Sequence, residues 1–133
     1  MGIGYHYRAR YELILFWEKG SCQLFSRAEP NVQRAKSVRR GYPTEKPRRL
    51  IETLFQQSVP RELLESRQIS IDPSEFLPVV FDPFCGSGVV GEVAARTECK
   101  FIGFDSSTEV IELTRGRRLK AELSSALEGK NGL

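Results

Sequence analysis

The sequence predicts an α/β domain of parallel strands covered by helices, on three observations. First, the β-prone apolar run Val79-Val80-Phe81 ends in a carboxylate, Asp82. Second, a turn of small residues, Pro83-Phe84-Cys85-Gly86-Ser87-Gly88, opens onto Val89-Val90-Gly91-Glu92-Val93-Ala94-Ala95, a helix-prone stretch. Third, a second strand, Lys100-Phe101-Ile102-Gly103-Phe104, also ends in an acid, Asp105. Strand, helix and strand at this spacing form a right-handed β-α-β unit with parallel neighbours. A length of 133 residues suits one domain with a modest core.

In chain order, Tyr11-Glu12-Leu13-Ile14-Leu15-Phe16-Trp17 is a nearly unbroken apolar run ended by the turn signal Glu18-Lys19-Gly20-Ser21. Its length and aromatic content predict a buried strand. His6 has no carboxylate or nucleophile beside it in sequence, so an interfacial or hydrogen-bonding role fits it better than catalysis. From Ser21 to Tyr42 no apolar period is sustained, and Arg27, Arg34, Lys36, Arg39 and Arg40 stand against one acid, Glu29. That segment reads as exposed and basic, either a solvated loop or a set of phosphate contacts.

Tyr42-Pro43-Thr44-Glu45-Lys46-Pro47 is a loop that launches a helix. Thr44 is the expected N-cap, and Pro47 falls in the first turn, where its missing N–H costs little. Leu50, Ile51, Leu54 and Phe55 form the amphipathic stripe, and Val59-Pro60 ends it. A short polar helix from Arg61 to Arg67 and a linker through Asp72-Pro73 follow. After Asp105, Ser106 and Glu109 have capping-box spacing. Val110, Ile111, Leu113 and Leu119 are the expected buried face of the last helix, with Arg115, Arg117, Arg118 and Lys120 toward water or nucleic acid. The tail from Ser124 is expected to fray.

The glycine turn is the candidate ligand site. Gly86 and Gly88 remove side chains where a ligand approaches the backbone, and the helix N-terminus behind them offers unpaired N–H groups. Gly86-Ser87-Gly88-Val89-Val90-Gly91 matches the dinucleotide pattern G-x-G-x-x-G, with Asp105 near the distance of a ribose-binding acid. Yet Asp82 would set a full charge where a pyrophosphate should lie. A carboxylate there suits a cationic amine, so S-adenosylmethionine fits better than NAD, which is kept as the alternative. Asp105 would accept the ribose hydroxyls or cap its own helix.

Together these residues resemble the S-adenosylmethionine-dependent DNA amino-methyltransferases, which methylate adenine N6 or cytosine N4. The chain is similar to the permuted group in which the cofactor-binding half follows the catalytic half. Asp82-Pro83-Phe84-Cys85-Gly86-Ser87-Gly88 resembles that family's glycine loop, Tyr42-Pro43-Thr44-Glu45-Lys46-Pro47 its loop at the methionine end of the cofactor, and Phe101-Ile102-Gly103-Phe104-Asp105 its second strand. The resemblance implies a partial class I methyltransferase sheet, Rossmann-like and lacking central strands. It assigns residues 1–20 to a strand segment, 21–42 to basic target recognition and 43–123 to the cofactor. It implies cofactor contacts from Thr44, Lys46, Asp82, Phe84, Cys85, Gly86, Ser87, Gly88, Asp105 and Ser106, and DNA contacts from the five cations of the basic segment. The family's catalytic signature, Asp or Ser followed by Pro-Pro and an aromatic, is absent. No catalytic residue is therefore assigned, and a second polypeptide or an upstream half carrying that motif is the expected partner. A non-catalytic binding remnant or regulatory subunit is the other reading. The absence of a Pro-Cys dipeptide argues against cytosine ring-carbon methylation, whose nucleophile is a cysteine.

Composition narrows the setting. No apolar run approaches the roughly 20 residues a membrane helix needs, and the opening lacks a signal peptide's apolar core. Three cysteines without metal spacing suggest a reduced, cytoplasmic setting and no metal.

Overall fold

The computed structural model describes residues 10–20, 28–38, 42–58 and 77–130. In chain order these form helix α1 (Arg48–Ser58), strand β1 (Val79–Asp82), helix α2 (Val89–Arg96), strand β2 (Lys100–Gly103) and helix α3 (Thr108–Lys130). The expected helix from Arg61 to Arg67 lies outside the described residues.

β1 and β2 are parallel neighbours, with Val80 opposite Phe101 and Asp82 opposite Gly103. The period of two gives the pair distinct faces. Val80 and Phe101 are half-buried; Val79, Phe81 and Ile102 are exposed. α2 packs on β2, and both α3 and α1 pack on α2. Phe101 reaches α2 at Gly91, where a Cβ would lie 3.0 Å from the ring. On the exposed face the rings of Phe81 and Phe104 meet at 5.8 Å.

The core is made of small side chains. Val89, Val93, Ala94 and Ala95 of α2 are buried with Cys85, Cys99, Val110 and Ala121, and Val93 is the largest fully buried side chain among the described residues. Such a core removes little apolar area from water.

Three expectations about elements need correction. Arg10 to Gly20 is exposed throughout and carries no strand: a strand needs neighbours to bond to, and among the described residues this apolar run pairs with none. The last helix continues past Ser124 to Lys130. Its buried stripe is Val110, Thr114 and Ala121, while Leu113 and Leu119 are exposed. The period was legible, but α3 turns a small residue toward the glycine loop, where a Cβ on Gly88 would lie 2.8 Å from Thr114 Cα.

Candidate cofactor site

The parallel register sets the carboxyl ends of both strands side by side, with Asp82 ending β1 and Asp105 just beyond β2. Bonding continues beyond the strands. The Phe104 N–H donates to the Asp82 carbonyl at 2.9 Å, and the Cys85 N–H to the Phe104 carbonyl at 2.8 Å. Asp82 Oδ1 accepts the Phe84 N–H at 3.1 Å, an Asx turn that aims the chain out of the strand. Phe84 at its tip is 86% exposed, whereas Cys85 and Ser87 are buried.

Gly86 (φ 46°) and Gly88 (φ 77°) both adopt left-handed backbone, which side chains resist. Gly88 also begins α2, and a Cβ there would sit 2.8 Å from Thr114 Cα and Oγ1. Thr114, buried on α3, donates its hydroxyl to the Gly86 carbonyl at 3.2 Å. The Gly86 N–H is held from the other side by Asp105 Oδ2 at 3.1 Å.

Asp105 therefore does more than the sequence suggested. Oδ2 takes the loop N–H and Oδ1 takes the Ser107 N–H at 3.1 Å, so one carboxylate joins the glycine loop to the start of α3. An ionised carboxylate has about four acceptor sites, so each oxygen keeps one for a ligand hydroxyl. Ser106 is exposed beside it. The cap of α3 is Ser107: its Oγ accepts from Val110 N at 3.4 Å and its carbonyl from Ile111 N at 3.1 Å. The capping box from Ser106 to Glu109 does not form.

The Tyr42–Pro47 loop lies against this turn. A Cβ on Gly86 would be 3.8 Å from the Tyr42 ring. Glu45 N–H donates to the Tyr42 carbonyl at 3.1 Å. Thr44 is left-handed (φ 65°), and its hydroxyl donates to the Pro43 carbonyl. Thr44 is therefore no cap; the Pro47 carbonyl starts α1 by accepting from Leu50 and Ile51. Lys46 is exposed and pairs with Glu12, a surface pair of small worth.

Sequence reasoning missed the charges behind the loop. Arg117, expected to face water or nucleic acid, is half-buried. It donates to Glu92 Oε2 at 2.6 Å, to Glu45 Oε1 at 2.9 Å and to the Ser87 carbonyl at 3.2 Å. Glu92 also meets Arg96 at 3.3 Å and Arg48 at 3.4 Å. Burial by itself would raise the Glu92 pKa, but the hydrogen bond and charge of Arg117, with help from Arg48 and Arg96, hold it below the ordinary glutamate value. Burial likewise works against the Arg117 charge, and the bonds to Glu45 and Glu92 outweigh it, holding the guanidinium more firmly protonated. The available signal was spacing: position 117 falls on the same helical stripe as 110, 114 and 121.

A recess of about 230 Å³ lies between β2 and α3, lined by Phe101, Ile111, Thr114 and Arg118 among others. It reaches the glycine loop at Cys85 but neither Asp82 nor Asp105, so the strand ends carrying the two acids are the better candidate site. Of the expected DNA contacts, Arg34 and Lys36 are exposed; Arg27, Arg39 and Arg40 lie outside the described residues. Among those residues no helix is long and apolar enough to cross a membrane.

The glycine loop and both acids lie at the carboxyl ends of parallel strands, where open α/β sheets bind their ligands. Over residues 7–115 the chain matches the N6/N4 DNA methylase family, and it belongs to that family. It is 33% identical over 81 residues to the type II methyltransferase M2.DpnII of Streptococcus pneumoniae, an alignment covering 61% of this chain and 24% of that protein. The chain thus spans about a quarter of that relative's length. No solved structure matches it.

Proposed function

We propose that the chain is the cofactor- and DNA-binding half of an amino-methylating DNA methyltransferase that uses S-adenosylmethionine. One observation supports this most directly: Asp105 and Asp82 stand at one sheet edge on either side of a glycine loop whose Gly86 N–H is already tied to Asp105. The residues fit the ligand. Asp105 keeps acceptor capacity for ribose hydroxyls, Asp82 Oδ2 is left for an ammonium donor, and the exposed Phe84 ring offers a surface for the ligand to pack on. NAD fits less well, since Asp82 would face its pyrophosphate.

When bound, the cofactor supplies an electrophilic methyl group. The chain's residues hold and orient it, so their part is positioning. In this reading residues 43–123 are the cofactor part, 21–42 grip DNA through Arg27, Arg34, Lys36, Arg39 and Arg40, and 1–20 supply a strand once neighbours exist. The target base would be flipped out of the duplex, and a second polypeptide or further segment carrying an Asp- or Ser-Pro-Pro-aromatic motif would hold its amino group. The fold would then be a partial class I methyltransferase sheet whose central strands come with that partner.

The test pairs binding with turnover. Calorimetric titration should give tighter binding of S-adenosylhomocysteine than of NAD, and Asp105→Ala should weaken it by about tenfold or more, a charged hydrogen bond being worth about 1.5–3 kcal/mol. Labelled-methyl transfer to mixed-sequence DNA should be absent with the chain alone and present once the motif-bearing half is added. Equal affinity for NAD would sink the cofactor assignment. Turnover by the chain alone would sink the division into halves, and an inactive mixture would favour the binding remnant.

A further inference from the structure

The two loops assigned to the cofactor come from distant parts of the chain, and one side chain touches both. Arg117 donates through Nη2 to Glu45 Oε1 at 2.9 Å, through Nη1 to the Ser87 carbonyl at 3.2 Å and through Nε to Glu92 Oε2 at 2.6 Å. Glu45 belongs to the loop before α1, Ser87 to the glycine loop and Glu92 to α2. The partners are 72, 30 and 25 residues away in sequence. All three donor nitrogens of the guanidinium are engaged, a geometry a lysine cannot reproduce. The Glu45 side chain is 12% exposed and that of Glu92 10%, so neither carboxylate is an ordinary solvated surface acid. Arg118, next in sequence, differs: it pairs with Glu122 on its own helix and lies over the Phe101 ring.

We propose that Arg117 is a positioning residue that couples the Tyr42–Pro47 loop to the glycine loop, so that both sides of the cofactor site order as one unit. The proposal rests on the cofactor assignment for its purpose, but the coupling has its own readout. The carbonyl of Ser87 points back to α3 because Arg117 holds it there, as Thr114 holds that of Gly86. With these carbonyls drawn inward, the loop presents less negative charge to a ligand. Through Glu45 the same cation fixes the opposing loop, whose Tyr42 ring lies against Gly86.

Hydrogen exchange of the full chain, followed by mass spectrometry without ligand, tests the coupling. Exchange reports local opening segment by segment. Arg117→Met should speed exchange in residues 42–50 and 84–88 together, by about tenfold, the loss of about one charged hydrogen bond at each loop. Arg118→Met should leave both segments unchanged. Arg117→Lys keeps the charge and guards against a misfolded Met variant; it should loosen both loops to a smaller degree. Glu45→Gln should loosen 42–50, and combined with Arg117→Met should add little there, since both remove the same link. Titration with S-adenosylhomocysteine should show about tenfold weaker binding for Arg117→Met and no change for Arg118→Met.

A response confined to one loop, an equal response of every element, or full additivity of the Glu45 and Arg117 variants would overturn the coupling. If the unsubstituted chain binds no S-adenosylhomocysteine, the cofactor reading falls, while the exchange pattern still decides whether Arg117 joins the loops.

Discussion

Residues 10–20 and residues 79–95 look alike as sequences: each holds an apolar, aromatic-containing run. Their fates differ: Val79, Phe81 and Phe84 of the second stretch are exposed too, but most of its helical half is buried. Leu13, Leu15 and Trp17 are 81%, 75% and 85% exposed, whereas Val89, Val93 and Ala94 are buried. The difference is not hydrophobicity, since leucine and tryptophan are the more apolar set. It is the presence of matching surfaces. β1 finds β2 in parallel register and α2 finds α3, all within 52 residues of chain from Val79 to Lys130. Among the described residues, the N-terminal run makes an exposed ion pair between Glu12 and Lys46 and no strand pairing. Burial is a property of pairs of surfaces, and a sequence pattern states one member of each pair.

The largest effect that could break this comparison belongs to Gly88. It combines a left-handed backbone with a Cβ position 2.8 Å from Thr114 Cα. Gly88→Ala should cost about 1–3 kcal/mol in backbone strain and about 1–3 kcal/mol more in overpacking. The core it disturbs has few large side chains to spare. Urea unfolding should show the midpoint falling sharply or the transition vanishing. A midpoint within error of the unsubstituted chain would mean that the loop does not sit against α3.

Glu92 sharpens the comparison with a smaller, pH-dependent effect. Its folded pKa lies below the ordinary glutamate value, because Arg117, Arg48 and Arg96 outweigh the burial. The sign follows from linkage: the unfolded chain binds the proton more readily, so acid favours unfolding. The stabilisation is complete above the ordinary glutamate pKa of about 4.3 and is lost as pH falls through the lower folded value. Near neutrality Glu92→Gln should destabilise by about 1.5–3 kcal/mol, and the gap from the unsubstituted chain should narrow steadily in acid. A gap that stays constant from neutral to strongly acidic pH would deny the ion cluster its role.

Much of the βαβ unit is legible in the amino-acid sequence. The apolar run into Asp82, the glycine pair and the second strand into Asp105 each carry a local reason, and local reasons survive folding. Helix α1 is legible from the Leu50, Ile51, Leu54 and Phe55 stripe, but not its cap, because Thr44 takes a left-handed backbone that no local rule at Pro43-Thr44 demands. The inward turn of Arg117 is not legible either. An arginine on a helix is normally solvated, and it is the approach of Glu45 and Glu92 from other elements that makes this one a half-buried partner. Asp105 lies between these cases: its place at the sheet edge follows from topology, but its bond to Gly86 N–H depends on the turn's path. Pattern reaches what depends on neighbours in sequence, and fails where two distant segments decide the outcome together.

The smallest expected effect is the most direct test of the opening comparison. If the Tyr11–Trp17 run lies outside the core, removing its apolar character should leave the stability of the folded unit alone. The triple substitution Leu13→Ser, Leu15→Ser and Trp17→Ser touches side chains that are each at least three-quarters exposed, and surface changes of this kind stay within about 0.5 kcal/mol each. Burying the same side chains would have been worth about 1.5–3 kcal/mol apiece, so the two cases separate clearly in a urea transition. Self-association should respond in the opposite sense, since an exposed apolar run invites contact between copies. Light scattering at rising concentration should show the substituted chain remaining monomeric where the original associates. Under the proposed function the same run acquires its neighbours from the motif-bearing half, so the triple variant should also bind that half more weakly while keeping its affinity for S-adenosylhomocysteine. A loss of several kcal/mol from the isolated chain would place Leu13, Leu15 and Trp17 in the core after all and erase the contrast between the two regions.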